Sequence, residues 1–264
     1  MTTTRTIDLA GEVAVVTGGR GDIGSAVVAA LVAAGATVAV ADLRAVPDPP
    51  AAGTLHTRID VSDPMAVTGW LDAVEAGLGT PTLVIPAAAT ATVGSVLELT
   101  ADQWRDELAV DLTGPFLLAA DASRRMIAAN RPGRIVLVGS WAGHAPHPHV
   151  PAYSVAKAGL RMLTQVLAVE LAAHQILVNE IAIGVVNAGV SRTTFAERPD
   201  MRARSERIAP VRHLVEVEEI VTTVLDLCDF SRRSMTGATV LLDGGMSLRT
   251  AFSDAGPAGD GAGA

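Results

Sequence analysis

Short apolar runs of strand length alternate with longer amphipathic stretches over most of this 264-residue chain. The runs predict strands over residues 13–17, 37–41, 55–60, 83–86, 134–139, 177–182 and 239–242. The stretches between them predict helices over residues 23–34, 64–78, 101–130, 152–174 and 216–230. Nearly continuous apolar strands that alternate with helices are typical of a parallel sheet with both faces covered. The pattern therefore predicts an α/β fold, a doubly wound parallel sheet of about seven strands with helices on both faces.

The chain shows no linker and no second apolar core, which predicts a single domain over residues 1–252. Residues 185–210 form the one long connection without a clear strand or helix pattern, and such connections are usually lids or binding loops. Residues 253–264 consist mainly of Gly, Ala, Pro and Asp, a composition that predicts a disordered tail.

Composition and charge exclude several classes of function. A formal net charge of −8 and an isoelectric point near 5.2 argue against nucleic acid as a partner, because phosphate binding needs clustered Lys and Arg. The single cysteine, Cys228, excludes an intrachain disulfide and is expected to be a buried, inert thiol. The first residues lack the apolar segment of a secretory signal, and the longest apolar stretch is too short to span a bilayer. We therefore expect a cytoplasmic protein that binds neither nucleic acid nor membrane.

The segment TGGRGDIG, residues 17–24, joins the first predicted strand to the first predicted helix. Glycines in this position let the backbone approach a pyrophosphate, and the N-terminus of the helix presents free N–H groups to it. A Gly-rich turn alone is weak evidence, because a flexible strand–helix connection would look similar. Its place after the first strand of an alternating chain predicts a dinucleotide-binding loop.

The second predicted strand leads to Asp42, about 20 residues after the loop, where a carboxylate can bond both hydroxyls of an adenosine ribose. A negative charge there would repel the 2′-phosphate of NADP, so the sequence favours NAD. Arg20 and Arg44 are the contrary evidence, since an arginine can pair with that phosphate.

The segment YSVAK places Tyr153 and Lys157 one turn apart on the same face of a predicted helix. A tyrosine hydroxyl ordinarily ionises near pH 10, and a neighbouring ammonium group favours its phenolate, which would let Tyr153 act as a general acid and base. Ser140 follows the strand predicted over residues 134–139, so its hydroxyl can face the same pocket and bond a substrate oxygen. A Tyr and a Lys at this spacing are usually an exposed pair, but the glycine loop and Ser140 favour the catalytic interpretation.

Together these motifs make the chain resemble the short-chain dehydrogenase/reductase family over about residues 7–250. The matching segments are TGGRGDIG, ADLR with Asp42, IDV with Asp60, VDLTGPF, Ser140, YSVAK, LVNEIAIG and the closing LLDGG. The resemblance implies a Rossmann-type sheet of parallel strands and an assembly of identical subunits, a homodimer or homotetramer.

The resemblance also implies a role for individual residues. Tyr153 would exchange a proton with the substrate oxygen, Ser140 would orient that oxygen, and Lys157 would bond the nicotinamide ribose. Hydride would pass between the substrate carbon and the nicotinamide ring. Asp60 and Val61 would line the adenine, and residues 184–186 the nicotinamide. The full set of expected cofactor-binding residues is Gly18, Arg20, Asp22, Ile23, Asp42, Asp60, Val61, Ala87, Ala88, Tyr153, Lys157, Gly184 and Val186.

Two departures from the family pattern lie near the expected cofactor. The glycine usual in the middle of the loop is replaced by Asp22, which can either cap free N–H groups of the following helix or weaken the grip of the loop on pyrophosphate. The family's Asn-Asn-Ala-Gly after the fourth strand reads Pro86-Ala87-Ala88-Ala89, so methyl groups replace two side-chain amides that normally tie neighbouring strands together.

Two further departures lie near the reacting groups. The helix-borne Asn of the family's catalytic set is Asp111 here, and its carboxylate would hold Lys157 more firmly protonated and could bind a relay water. The family's Pro-Gly-x-x-x-Thr is also altered, and Asn187 is expected to replace a lost hydroxyl. The expected catalytic set is therefore Ser140, Tyr153, Lys157 and Asp111.

The segment HAPHPH lies between Ser140 and Tyr153, where the resemblance places the substrate. One of its imidazoles can contact a polar substrate, and Trp141 can form a pocket wall or fill the core. The residues expected at the substrate are Trp141, His144, His147 and Asn187. His144, His147 and His149 could ligate a metal by spacing alone, but the loop is proline-rich without nearby carboxylates, so no metal is expected.

The long connection carries Arg192, Arg198, Arg202, Arg204 and Arg207. They could form a positive lid that recruits an acidic substrate, although a solvated helix face is the more common explanation. The helices predicted over residues 101–130 and 152–174 are apolar on more than one face, as expected when a second subunit covers the outer stripe.

The sequence thus predicts an NAD(P)-dependent oxidoreductase, an alcohol dehydrogenase or ketoreductase that interconverts a secondary alcohol and a ketone, with NAD favoured over NADP. The altered positions after the fourth strand and at Asp111 motivate one alternative, a catalytically weak NAD-binding sensor or structural protein. A second alternative is an epimerase or dehydratase that uses NAD without net redox change.

Overall fold

The computed structural model describes residues 7–46, 52–147, 149–188, 191 and 195–248. Within them one sheet is formed by β1 Val13–Thr17, β2 Thr37–Asp42, β3 Thr54–Arg58, β4 Leu83–Pro86, β5 Gly133–Ser140, β6 Ile176–Ile183 and β7 Thr239–Leu242. All neighbouring strands pair in parallel, in the order β3-β2-β1-β4-β5-β6-β7. The predicted doubly wound parallel sheet is confirmed.

The strand order places β4 directly beside β1, although β2 and β3 lie between them in the sequence. Thr17, the last residue of β1, pairs with Ala41 of β2 and with Pro86 of β4, so these strands end at nearly the same level. The connections that leave β1 and β4 turn to opposite faces of the sheet and open a crevice beyond the carboxyl ends of the strands.

The helices of the described residues include α1 Asp22–Ala33, α2 Pro64–Leu78, α3 Ala101–Leu108, α4 Gly114–Ala128, α5 Pro151–Leu171, α6 Pro199–Ile208 and α7 Val217–Cys228. A π-helical turn, Ala109–Thr113, joins α3 to α4, so the helix predicted over residues 101–130 is one run with a wider turn inside it. Such turns often mark functional sites. Among the described helices, none has the length and apolarity needed to cross a bilayer.

Two boundaries differ from the predicted ones for clear reasons. β3 ends at Arg58 rather than at Asp60, because the Asp60 carboxylate accepts the N–H of Ser62 at 2.9 Å and turns the chain. The connection expected to be irregular contains α6, whose sequence PDMRARSERI has no apolar stripe and therefore gave no helical period. Residues 253–264, the expected disordered tail, lie outside the described residues.

Side chains of the strands alternate between two apolar layers, one on each face of the sheet. On β1, Ala14 and Val16 belong to the layer covered by α1 and α7, whereas Val13 and Val15 belong to the layer covered by α2, α4 and α5. Burying one such Val stabilises the fold by roughly 1.5–3 kcal/mol relative to exposing it. Cys228 is fully buried in the first layer and burial raises the pKa of its thiol to about 12, which confirms the predicted buried thiol.

Candidate active site

A cavity of about 880 Å³ opens at the carboxyl ends of β1 and β4, where the strand order creates the crevice. Its wall is built by the segments that follow β1, β2, β3, β4, β5 and β6, together with one face of α3 and the start of α5. A cavity of this size is in the upper part of the range for small-molecule sites, about 300–1,000 Å³.

The glycine loop is tightly packed on both sides, and this packing requires two of its glycines. Gly18 has a φ of +65°, and a Cβ there would lie 2.6 Å from the Cα and the N of Ala88. A Cβ on Gly24 would overlap the carbonyl oxygen of Gly18. Because these positions carry no side chain, the first turn of α1 comes close enough to line the cavity with its positive end.

Asp22 does not occupy the cap position of α1. Gly21 is the residue that precedes the helix, and it contributes no side-chain cap. Asp22 is the first helical residue, where a carboxylate lies favourably at the positive end of the helix dipole. The cap position of α1 thus belongs to Gly21, and Asp22, one position further along, lines the cavity together with Ile23.

Asp42 lies at the end of β2 and is held as a carboxylate by several donors. Its Oδ2 accepts the N–H of Arg20 at 3.0 Å, and its Oδ1 accepts the N–H of Arg44 at 3.0 Å and the Arg44 Nε–H at 3.1 Å. Burial by itself would raise the pKa of Asp42, but the hydrogen bonds from Arg44 and Arg20 outweigh it and lower the pKa below its ordinary value. Asp42 thus places a fixed negative charge in the cavity wall.

The two arginines near Asp42 differ in where their side chains point. The Arg44 side chain is 57% exposed and lines the cavity. The Arg20 side chain donates to the carbonyl of Ala45, and Arg20 is not among the residues that line the cavity. Only the backbone N–H of Arg20 therefore serves the site, through Asp42.

Apolar side chains complete this end of the cavity. Asp60 and Val61 line it as expected, together with Leu43 and Ile59. One oxygen of Asp60 already accepts hydrogen bonds from the N–H and the hydroxyl of Ser62, at 2.9 and 2.7 Å. Asp60 therefore shapes the turn, and the neighbouring apolar side chains offer a surface for a flat ring.

Ser140, Tyr153 and Lys157 all line the opposite part of the cavity. β5 ends at Ser140, and a Cβ on Gly143 would lie 2.7 Å from the carbonyl carbon of Lys157, so a glycine is needed for this turn to pack on α5. The Ser140 hydroxyl accepts the N–H of Ala142 at 3.2 Å, which leaves its own proton for another acceptor. The Nζ of Lys157 lies 5.2 Å from the centre of the Tyr153 ring.

Lys157 is buried and held by fixed partners. Its ammonium group donates to the carbonyl of Val138 at 3.1 Å and lies 3.2 Å from the Oδ1 of Asp111. Burial by itself would lower the pKa of Lys157, but the negative charges of Tyr153 as phenolate, Asp111 and Glu180 outweigh it and raise the pKa above its ordinary value. Lys157 is therefore a cation at neutral pH.

Asp111 lies behind the cavity wall, in the π-helical turn, and is fully buried. Its Oδ2 accepts the N–H of Thr90 at 3.0 Å while its Oδ1 faces Lys157. Burial raises the pKa of Asp111, although Lys157 and the Thr90 hydrogen bond partly offset the effect. Asp111 therefore acts on the cavity only through Lys157 and through the segment after β4.

Two carboxylates one turn apart hold the segment after β4. Asp111 accepts the N–H of Thr90, and Glu107 accepts the N–H of Thr92, each at 3.0 Å. The same segment starts with the N–H of Ala87 bonded to the carbonyl of Thr17 at 3.1 Å, and Ala87 and Ala88 line the cavity. Backbone and carboxylate bonds thus fix the segment in which methyl groups replace two amides.

The residues expected at the substrate divide into two pairs. Trp141 and His147 line the cavity, and their rings pack edge to face with centres 5.3 Å apart. His144 and Asn187 are not among the lining residues. The Nδ1 of His144 pairs with Arg161 of α5 at 3.1 Å, and the backbone N–H of Asn187 donates to the carbonyl of Val215 at 3.2 Å. Burial lowers the pKa of His147, so its imidazole is neutral at neutral pH.

The segment after β6 reaches the cavity through small and apolar residues. Gly184 packs against the closing turn of the sheet, since a Cβ on it would lie 2.7 Å from the Cα of Asp243. Of the described residues in the connection over 185–210, those that line the cavity are Val185, Val186, Ala188 and Ser191.

The arginines of this connection that the structure describes lie on or beside α6, away from the cavity wall. Arg198 pairs with Asp200 at 3.2 Å, and Arg202 pairs with Glu206 at 2.9 Å. These ion pairs favour the interpretation that the arginines form a solvent-exposed helix face over the interpretation that they form a positive lid for an acidic substrate. Arg192 lies outside the described residues.

The wall also contains residues that no motif indicated. They include Thr90, Thr92, Gln103, Asp106, Glu107 and Val150. A signal for part of this group was present, because Gln103, Glu107 and Asp111 follow one another at intervals of four residues on one helix face. Within the described ranges, no three His, Cys, Asp or Glu side chains gather as they would around a metal ion.

Comparison with known proteins gives a consistent result. A family model described as enoyl-(acyl carrier protein) reductase matches residues 19–247. L-xylulose reductase of Bos taurus is 34% identical over 241 residues, which cover 90% of this chain and 97% of that protein.

Solved structures share the architecture over nearly the whole chain. A short-chain type dehydrogenase/reductase from Mycobacterium marinum superposes with a TM-score of 0.84 at 31% identity, over 92% of this chain and 98% of that one. A protein described as a 2-deoxy-D-gluconate 3-dehydrogenase from Agrobacterium tumefaciens, solved with bound NADP, superposes with a TM-score of 0.83 at 26% identity, over 93% of this chain and 100% of that one.

Proposed function

The chain belongs to the short-chain dehydrogenase/reductase family, and from that premise we propose that it interconverts a secondary alcohol and a ketone with a nicotinamide dinucleotide. It is an oxidoreductase of small molecules by its family, and the proposal specifies the reaction. The observation that carries it is the presence of Ser140, Tyr153 and Lys157 in one wall of a cavity whose other end is a glycine loop.

The shape and charges of the cavity fit a dinucleotide. Side chains at Gly18 or Gly24 would fill the space next to the first turn of α1, so a phosphate group can approach the free N–H groups there. Asp42 can accept hydrogen bonds from ribose hydroxyls, and the apolar group around Val61 can pack on adenine. When bound, the nicotinamide supplies the position that accepts or donates the hydride.

The chain's own residues then handle the substrate oxygen and its proton. The Tyr153 hydroxyl gives a proton to the oxygen of a ketone, or takes one from an alcohol, as a general acid and base. The Ser140 hydroxyl donates a hydrogen bond to the same oxygen and orients it. The ammonium group of Lys157 stabilises the phenolate that Tyr153 becomes, and Asp111 keeps Lys157 protonated and in place.

We favour NAD over NADP as the cofactor. Asp42 is a carboxylate with a lowered pKa in the cavity wall, and its charge would repel a 2′-phosphate. The exposed side chain of Arg44 is the one group near Asp42 that lines the wall and could compensate this repulsion. The NADP bound to the Agrobacterium tumefaciens protein is a property of that protein.

The substitution Tyr153→Phe tests the proposal directly. Loss of the hydroxyl should reduce turnover of ketones by about 10²–10⁴-fold, the usual contribution of general acid–base catalysis. NADH affinity should change little, and it can be measured by quenching of tryptophan fluorescence, since Trp141 lines the cavity. Ser154→Ala is the matched control, because Ser154 is the next residue of α5 and its hydroxyl donates to the carbonyl of Val150.

Each contrary result has a distinct meaning. Turnover that survives Tyr153→Phe would show that another group moves the proton. NADH binding by the unaltered protein without turnover of any ketone or alcohol would favour a sensor or structural role. Bound cofactor that converts a substrate without net NADH consumption would favour an epimerase or dehydratase.

We also propose that a second copy of this chain covers the outer face of α5. Val155, Met162, Val166 and Val169 are all at least 45% exposed and share one stripe of this helix. Such a stripe is costly in water and suits a symmetric interface between identical helices. Light scattering should give a mass of two or four chains, and Val169→Glu should shift it towards the single chain of 27.0 kDa.

A further inference from the structure

Glu107 on α3 is a buried carboxylate that the proposed mechanism does not use. It is 1% exposed and lines the cavity. Its Oε2 accepts the N–H of Thr92 at 3.0 Å, whereas its Oε1 makes no hydrogen bond with any described residue. Buried carboxylate oxygens are almost always hydrogen-bonded, so an oxygen of this kind points to a donor that a ligand supplies.

Among the described residues, no Lys or Arg forms an ion pair with Glu107. Arg105, two residues before it, is exposed and pairs with Asp102 at 2.8 Å. Lys157 pairs with Asp111 at 3.2 Å, and the negative charge of Glu107 contributes to the raised pKa of Asp111. Apart from Lys157, the Lys or Arg that lines the described cavity wall is Arg44, which pairs with Asp42 beside the glycine loop.

Glu107 lines the same cavity as Ser140, Tyr153 and Lys157. Asp111 is one turn further along the same helical run, and it contacts Lys157, which in turn lies next to Tyr153. The segment over Thr90 and Thr92 connects the two carboxylates and also lines the cavity. Because Thr92 occupies Oε2, the oxygen of Glu107 that remains without a donor among the described residues is Oε1.

Building on the proposed function, we propose that Glu107 is a specificity-determining residue that accepts a hydrogen bond from the substrate through Oε1. The preferred substrate is then a ketone or alcohol that carries a hydroxyl or a protonated amine on a carbon other than the reacting one. A substrate without such a donor leaves the buried oxygen unpaired, and sites of this kind discriminate strongly against the analogue that lacks the donor.

The test compares matched ketones that differ only in one substituent, which is a hydroxyl, a protonated amine or a methyl group. We expect kcat/KM of the unaltered protein to be at least about tenfold higher for a donor-bearing ketone than for the methyl analogue. The hydroxyl and amine arms show which donor the site takes. Equal values across the three substituents would overturn the proposal and would assign Oε1 to a bound water.

The substitution Glu107→Gln sharpens the test. The amide oxygen can still accept the N–H of Thr92, while the amide NH₂ replaces Oε1 and is a donor instead of an acceptor. The ratio of kcat/KM for a donor-bearing ketone to kcat/KM for its methyl analogue should therefore fall to about one or below. A preference that stays unchanged in Glu107→Gln would overturn the proposal.

Two controls separate folding, general charge and the underlying function. Asp102→Asn removes a negative charge from the same helix at an exposed site paired with Arg105, and it should leave the substituent preference unchanged. The NADH affinity of Glu107→Gln, measured by fluorescence, shows that the variant is folded. Failure of the unaltered protein to turn over any ketone while it binds NADH would overturn the proposed function and this inference with it, whereas turnover without a substituent preference overturns the inference alone.

Discussion

Asp42 and Asp111 are carboxylates in two regions at the same edge of the sheet, and their pKa values are shifted in opposite directions. Asp42, at the end of β2, accepts three short hydrogen bonds from Arg20 and Arg44, which lower its pKa in spite of its burial. Asp111, in the π-helical turn, is fully buried with Lys157 and one N–H as partners, and burial raises its pKa.

The difference shows that burial alone does not decide the charge of a carboxylate. Several hydrogen-bond donors to a carboxylate can lower its pKa by more than burial raises it. Asp42 is therefore suited to keep a fixed negative charge. Asp111 pairs with a single buried cation, Lys157, so the protonation of one of these two side chains affects the pKa of the other.

The largest effect is expected when the partner of Asp111 is removed. Lys157→Met leaves a buried carboxylate without its cation, which should cost about 3–5 kcal/mol of the free energy of unfolding. Turnover should fall by about 10²–10⁴-fold, because the phenolate of Tyr153 loses its stabilising charge. Urea unfolding and steady-state kinetics measure the two effects.

A second variant separates these two effects of Lys157. Lys157→Met combined with Asp111→Asn removes the unpaired charge, so part of the stability should return while turnover stays low. A double variant as unstable as Lys157→Met would contradict the assignment of the cost to the charge of Asp111.

A smaller effect is expected at Asp42. Asp42→Ala should weaken NADH binding by about tenfold and strengthen NADPH binding, because ribose hydroxyls lose an acceptor and the repulsion of the 2′-phosphate disappears. Arg44→Gln should act in the opposite sense and weaken NADPH binding more than NADH binding. Fluorescence titrations with both cofactors measure the ratio, and an Asp42→Ala ratio equal to that of the unaltered protein would show that Asp42 does not select the cofactor.

The smallest effect is expected from Asp111→Asn, which restores the residue usual in the family. Lys157 is the only lysine of the chain, so selective lysine labelling gives one NMR signal whose pH titration reports its pKa. This pKa should be lower in Asp111→Asn, because the carboxylate that raises it is gone. Asp42→Asn, in the other region, should leave the Lys157 titration unchanged.

The same variant should change the alkaline limit of stability. A lysine whose folded pKa is above the ordinary 10.5 contributes stability that is complete below that pH and is lost as the pH rises through the folded value. Because Asp111→Asn lowers the folded pKa, the loss should begin at a lower pH than in the unaltered protein. Denaturant unfolding at a series of alkaline pH values measures it, and coincident curves would contradict the ion pair.

Much of the Asp42 region could be predicted from the sequence because it depends on neighbours in the chain. Short distances along the sequence separate the glycine loop, the end of β2 and the two arginines. The parallel pairing of β1 with β2 places the ends of these two strands side by side. The Asp111 region could be predicted only in part. The pairing of Lys157 with Asp111 joins α5 to the π-helical turn, and no local pattern gives that distance.

The substrate end shows the limit most clearly. Trp141 and His147 line the cavity, whereas His144 pairs with Arg161 and Asn187 is not among the lining residues. A shift of one residue in a loop decides whether a given side chain lines the cavity or points away from it. Loop sequences have no hydrophobic period from which this direction could be predicted. Glu107 was not predicted for a related reason, since its hydrogen bond joins it to the backbone of Thr92, 15 residues away.

The sequence by itself determined the parallel sheet, the glycine loop, the carboxylate at the end of β2 and the spacing of Tyr153 and Lys157. These features follow from hydrophobic period and from helical geometry over a few residues. Only the tertiary structure decided which carboxylate pairs with Lys157, which side chains line the cavity and which buried oxygen of Glu107 has no hydrogen bond with a described residue. Those outcomes depend on distances between segments far apart in the chain, and packing of the two layers on the sheet sets them.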